Sequence, residues 1–159
     1  MKFNDNKFIK GSIKKTIFDF SVLDSSGNNV NLKRYSDNNP ILIVNVASYW
    51  GLTENNYKEM KNLYNKYKDQ GLAMLCFPSE QGYFEPDDDE TCRAKSKEYF
   101  KFGDWPEGRG AVFDKVDFIG PSAHPLYQAL TTDLQTPNGY GRITLNYEKF
   151  LLDKFDLPK

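Results

Sequence analysis

The sequence predicts an α/β fold, and three features carry that prediction. Residues 41–47 (Ile-Leu-Ile-Val-Asn-Val-Ala) and 72–77 (Leu-Ala-Met-Leu-Cys-Phe) are short, nearly unbroken apolar runs. That is the pattern of strands buried on both faces of a sheet. Between them Tyr57, Met60, Leu63, Tyr64 and Tyr67 recur at helical spacing, which aligns them as one apolar stripe. Strand, helix and strand at this spacing make a βαβ unit with a right-handed crossover.

The other elements follow along the chain. Residues 1–15 hold Lys2, Lys7, Lys10, Lys14 and Lys15 against the single acid Asp5, and read as a basic, solvated arm. Residues 16–159 read as a single domain, a size at which one core suffices without metals or disulfides. Residues 16–20 and 29–32 flank Asp24-Ser25-Ser26-Gly27-Asn28 and predict a β-hairpin. Asn38-Asn39-Pro40 breaks the chain before the first buried strand. Thr53 suits the N-cap of the amphipathic helix and Gly71 its C-terminal cap. Pro86 and the acids Asp87 to Glu90 open another helix, with Lys95, Lys97 and Lys101 toward its end, which complements the helix dipole. Residues 103–110 read as loop. Ser122 caps a short helix running to about Leu130, residues 131–142 are loop, and residues 143–152 are a strand candidate.

Composition excludes several classes. With 21 basic and 22 acidic side chains the net charge is −1, which supplies no field for nucleic acid or an anionic membrane. No apolar run approaches the roughly 20 residues that span a bilayer. Cys76 and Cys92 are too few for a disulfide framework, so a reducing, intracellular compartment is expected, cytoplasmic and mitochondrial both remaining open. One histidine, His124, cannot build a multi-histidine metal centre, and neither metal nor cofactor is expected.

Four collinear motifs carry more specific information. They are Asn45-Val46-Ala47-Ser48-Tyr49-Trp50-Gly51-Leu52-Thr53; Phe77-Pro78-Ser79-Glu80-Gln81 followed by Glu85-Pro86; Phe113-Asp114-Lys115-Val116-Asp117 with Gly120-Pro121 and Pro125-Leu126-Tyr127; and Leu145-Asn146-Tyr147-Glu148-Lys149-Phe150-Leu151. Together they resemble the glutathione peroxidase family from residue 16 to about 153. In that family Asn-Val-Ala-Ser leads to a reactive Cys or selenocysteine and then Gly-Leu-Thr. Phe-Pro-Cys-Asn-Gln-Phe precedes Glu-Pro, and Trp-Asn-Phe precedes Lys-Phe-Leu. The resemblance implies a thioredoxin-like α/β fold with a central mixed sheet and helices on both faces. It also implies a further C-terminal strand and long helix that this sequence lacks. An open sheet edge of that kind implies a protein partner and a larger assembly.

The family's chemistry needs a soft anionic nucleophile at a helix N-terminus, where free amides and the dipole favour negative charge. Trp50 stands at that place, and an indole has one N–H donor and nothing to ionise as a nucleophile. The resemblance assigns the other three members of the site to Gln81, Leu145 and Asn146. Leu145 replaces an indole donor with an aliphatic chain, so no intact catalytic set remains. Ser79 replaces the Cys that follows Phe-Pro in many members. The resolving cysteine of thiol-dependent members aligns near Lys97 rather than with Cys92, and Cys76 lies mid-strand as a small core residue.

The expected function is therefore a glutathione peroxidase-like protein without peroxidase activity, acting as a structural or interaction subunit. Two alternatives stay open. The first is a thiol peroxidase using Cys76, Cys92 or a selenocysteine or cysteine written as Trp50, since UGA is read as Trp in some codes. The second is a small-ligand site walled by Tyr49 and Trp50.

Overall fold

The structure is a computed structural model, and it describes residues 8–10, 13–24, 26–47, 53–79, 110–114, 116–133, 135–136, 139–140, 143 and 147–152. Two chain segments build its centre. β5 (Ile41–Val46) and β6 (Ala73–Pro78) pair in parallel, Ile41 opposite Ala73 and Val46 opposite Pro78. Every residue of both strands is buried. α1 (Thr53–Tyr67) connects them, so the predicted βαβ unit is present. β7 (Gly110–Val112) joins β6 in parallel and β10 (Lys149–Leu152) joins β5 antiparallel, giving a mixed four-stranded sheet in the order β10-β5-β6-β7.

Because side chains alternate across a strand, β5 and β6 feed two cores. Ile41, Ile43, Ala73, Leu75 and Phe77 face α2 (Pro125–Asp133), where Leu126, Tyr127 and Leu130 meet them. Leu42, Val44, Val46, Met74 and Cys76 face α1, where Tyr57, Met60 and Tyr64 meet them. A mixed sheet with a helix on each face is the architecture the sequence predicts. Among the described residues no helix is long and apolar enough to cross a membrane.

Smaller elements differ from the sequence reading. β1 (Phe8–Lys10) and β2 (Ile13–Lys15) pair antiparallel within the basic N-terminal segment expected as a solvated arm. Residues 17–19 form a 3-10 turn instead of a strand. Thr16 and Asp19 close it as a capping box, the Thr16 N–H donating to the Asp19 carboxylate at 2.7 Å. The predicted hairpin is shorter, β3 (Ser21–Leu23) against β4 (Asn29–Asn31). Its turn holds because Asp24 Oδ1 accepts from the amides of Ser26 and Asn28, and Gly27 takes φ +81°. The predicted loop 131–142 contains the short pair β8 (Gln135–Thr136) and β9 (Gly139–Tyr140). Gly110, read as loop, starts β7. Of the strand candidate 143–152, Lys149–Leu152 is strand, Ile143, Tyr147 and Glu148 are not, Tyr147 having φ +63°, and residues 144–146 lie outside the described residues. The helix expected after Pro86 lies outside the described residues.

The cap of α2 is also displaced from the prediction. Pro125 occupies its first position, and the preceding residue is His124, not Ser122. His124 Nδ1 accepts the Leu126 N–H at 3.2 Å, taking the role of a capping oxygen. Half-burial lowers the His124 pKa from its ordinary value, so the fold favours the neutral ring. A group whose pKa falls on folding binds more protons unfolded at intermediate pH. Stability from His124 is thus complete above the ordinary histidine value and is lost as pH falls below about 6.5. Denaturant midpoints measured from pH 8 to 5 should show that loss, limited to about 1 kcal/mol, the worth of a cap. A His124→Asn variant should flatten it, and an unchanged profile in that variant would refute the assignment.

Candidate active site

Three segments converge at the carboxyl ends of β5 and β6. β5 runs out at Ala47, β6 at Ser79, and the chain re-enters the described residues at Tyr147. The Ser79 N–H donates to the Val46 carbonyl at 3.2 Å, and the Tyr147 N–H donates to the Asn45 carbonyl at 2.7 Å. The segment after Ala47 carries residue 50, that after Ser79 carries residue 81, and that before Tyr147 carries 145 and 146. Trp50, Gln81, Leu145 and Asn146 themselves lie outside the described residues, as does Cys92. Their flanks meet at the strand ends, the place where open α/β sheets put their sites.

The floor of this place is buried and carries several hydroxyl groups. Ala47, Thr53, Tyr57, Ser79 and Tyr147 are all buried. Thr53 is the first residue of α1. Its Oγ1 donates to the Ala47 carbonyl at 3.2 Å, reaching back to the strand and not forward to the helix amides as an N-cap would. The Tyr147 hydroxyl donates to that same carbonyl, whose two lone pairs accommodate both donors. The rings of Tyr147 and Tyr57 pack edge to face with centroids 5.8 Å apart. Burial pushes the Tyr147 phenol up, against smaller downward effects of its hydrogen bonds, so it stays a neutral donor. Lys149 Nζ crosses above, donating to the Tyr147 carbonyl and to Asn56 Oδ1, each at 3.0 Å. Sequence reasoning assigned Tyr147 no role. The signal was its hydroxyl, at a position where the resembling motif has Phe.

Cys76, one of the two candidate replacement nucleophiles, sits in β6 with no exposed surface. Desolvation pushes its thiol up, far from thiolate formation at neutral pH. Peroxide attack needs an accessible thiolate, so Cys76 is a core residue. Among the described residues no group of His, Cys, Asp or Glu is placed to hold a metal ion.

Comparison with known proteins agrees with this architecture. Residues 17–131 match the family described as Glutathione peroxidase. The chain is 41% identical over 146 residues to Phospholipid hydroperoxide glutathione peroxidase 1, chloroplastic, of Arabidopsis thaliana, covering 91% of this chain and 58% of that protein. It is 42% identical over 146 residues to Glutathione peroxidase 1 of Helianthus annuus, covering 91% and 83%. The crystal structure of T. cruzi GPX1 superposes with a TM-score of 0.64 at 30% identity, covering 91% of this chain and 84% of that one. The chain spans only about three-fifths, 62% and 58%, of the two chloroplastic Arabidopsis proteins it matches. The family match over most of the chain, the near-complete alignment with the Helianthus protein and the shared mixed sheet lead to one assignment: this chain belongs to the glutathione peroxidase family.

Proposed function

We propose that this protein is a non-catalytic glutathione peroxidase-like protein that acts through its surface, as a structural or interaction subunit of a larger protein assembly. The observation that carries the reading is Trp50, which stands where the family places its chalcogen nucleophile. An indole forms neither a sulfenic nor a selenenic intermediate. Leu145 removes a second polar member of the site, leaving Gln81 and Asn146 as polar groups without an anion to stabilise. The buried, protonated Cys76 supports the same conclusion, because it removes one of the two thiols available as substitutes. Residues 16–159 act as a single domain in this reading, and no cofactor takes part. A fold kept without its nucleophile has only its surface to work with.

The test is hydroperoxide turnover by protein isolated from its source, with glutathione and then thioredoxin as reductant. Native material is needed because recombinant expression fixes Trp at position 50. The expected result is a rate equal to the uncatalysed background, with the protein eluting in a large complex. Turnover that a thiol alkylator abolishes would overturn the proposal. The second reading, an active peroxidase, is favoured by the relatives, which are named peroxidases. It requires a nucleophile at Cys92, or a selenocysteine or cysteine at residue 50 of the native chain; the mass of the peptide spanning residue 50 and the identity of the alkylated residue decide between them.

A further inference from the structure

We infer that Tyr147 bolts the end of β5 to the start of α1, a junction device built from a hydroxyl that the family motif lacks. The inference concerns the scaffold, and it holds whether or not residue 50 turns over a substrate. Tyr147 grips β5 at two points. Its backbone N–H donates to the Asn45 carbonyl, and its phenol donates to the Ala47 carbonyl two residues on. Its ring packs edge to face on Tyr57 of α1. Thr53, at the head of α1, donates to the same Ala47 carbonyl. One carbonyl therefore joins the strand end, the helix start and the residue before β10.

The geometry is specific to tyrosine. Tyr147 lies between β5 and α1, in the core that contains Val46, Ala47 and Tyr57. A hydroxyl buried there needs an acceptor, since an unmet one is costly. The φ of +63° is a left-handed conformation that side chains other than glycine rarely take. It aims the phenol along the strand end, and Lys149 holds the turn, its Nζ donating to the Tyr147 carbonyl and to Asn56 Oδ1 in the first turn of α1. Phenylalanine at 147 fills the same space and keeps the ring contact, but loses the link to Ala47.

The experiment is amide hydrogen exchange on the full chain and its Tyr147→Phe variant, followed residue by residue. The expected result is exchange about three- to tenfold faster at the first amides of α1 that have acceptors within the helix, from Tyr57 to Met60, the loss of one hydrogen bond. Amides of β6 should keep their wild-type rates. Tyr127→Phe is the control. Tyr127 is a fully buried tyrosine whose hydroxyl has no hydrogen-bond partner among the described residues, so its loss should leave the α1 amides unchanged. Equal α1 rates in wild type and Tyr147→Phe would overturn the inference. So would acceleration spread evenly over α1 and β6, which would mark a general loss of stability without a local bolt.

Discussion

Replacing Phe77 by alanine will destabilise the protein by about 3–5 kcal/mol, the cost of deleting a fully buried aromatic ring. Phe77 has no exposed surface. It stacks on Phe113 at 4.8 Å and meets Tyr127 edge to face at 5.7 Å. Phe113 in turn contacts Tyr35, and Tyr127 contacts Phe118 and Phe150, so Phe77 lies at the centre of an aromatic cluster. Its strand lies between β5 and β7, Phe77 pairing with Asn45, and neighbours held by a sheet cannot close over the vacancy. The loss is a large part of the roughly 5–15 kcal/mol that holds a domain folded. Urea unfolding followed by circular dichroism measures it. A change below about 1.5 kcal/mol, the range of a volume-conserving swap, would show that the cluster is loosely packed.

Gly71→Ala will cost about 2–4 kcal/mol, from a conformational penalty and a collision together. Gly71 ends the turn after α1 at φ +101°. A Cβ there would stand 2.8 Å from the Asn39 carbonyl oxygen. That oxygen is backbone, and Asn39 is tied to Gly71 by its own N–H, which donates to the Gly71 carbonyl at 3.0 Å, with Asn38 Nδ2 on the same acceptor at 3.3 Å. The two chains cannot separate without opening the entrance to both β5 and β6. Gly27→Ala is the matched comparison. Gly27 also has positive φ, +81°, but nothing lies within 4 Å of its Cβ position. Its cost should be about 1 kcal/mol, and thermal unfolding of the two variants isolates the collision as the difference. Equal melting temperatures would refute it.

The sheet's centre was legible in the sequence because burial on both faces leaves a nearly unbroken apolar run, and β5, interrupted only by Asn45, and β6 have one each. α1 was legible because Tyr57, Met60 and Tyr64 repeat every three or four residues. The misread elements depend on contacts that a local pattern does not contain. Apolar alternation in residues 16–20 beside a Gly/Asn-rich turn suggested a strand, yet the Thr16–Asp19 capping box turns the chain there and buries both Ile17 and Phe18. Thr53 looks like an N-cap by type, but the acceptor it uses belongs to a residue six positions earlier. His124 caps α2 with a ring nitrogen, a role that side-chain propensity assigns to Ser or Asp. The left-handed Tyr147 leaves no trace in hydropathy. The site residues rest on the motif alone: Trp50 is a fact of sequence, and what the structure adds is that segments flanking the motif positions meet at the ends of β5 and β6.

The sealed thiol of Cys76 has a practical consequence. Its side chain is covered by α1 and its strand is flanked by neighbours on both edges, so a reagent reaches it only when α1 lifts from the sheet or the sheet itself opens. In a Cys92→Ser background its modification rate becomes a clock for the opening that uncovers the α1 face of the sheet. When reclosing is fast relative to labelling, that rate reports the equilibrium between closed and open forms; when labelling is fast, it reports the opening rate itself. The protein thus carries an internal probe, already at its centre, against which the loosening caused by changes at Phe77, Gly71 or Tyr147 can be timed without adding a dye.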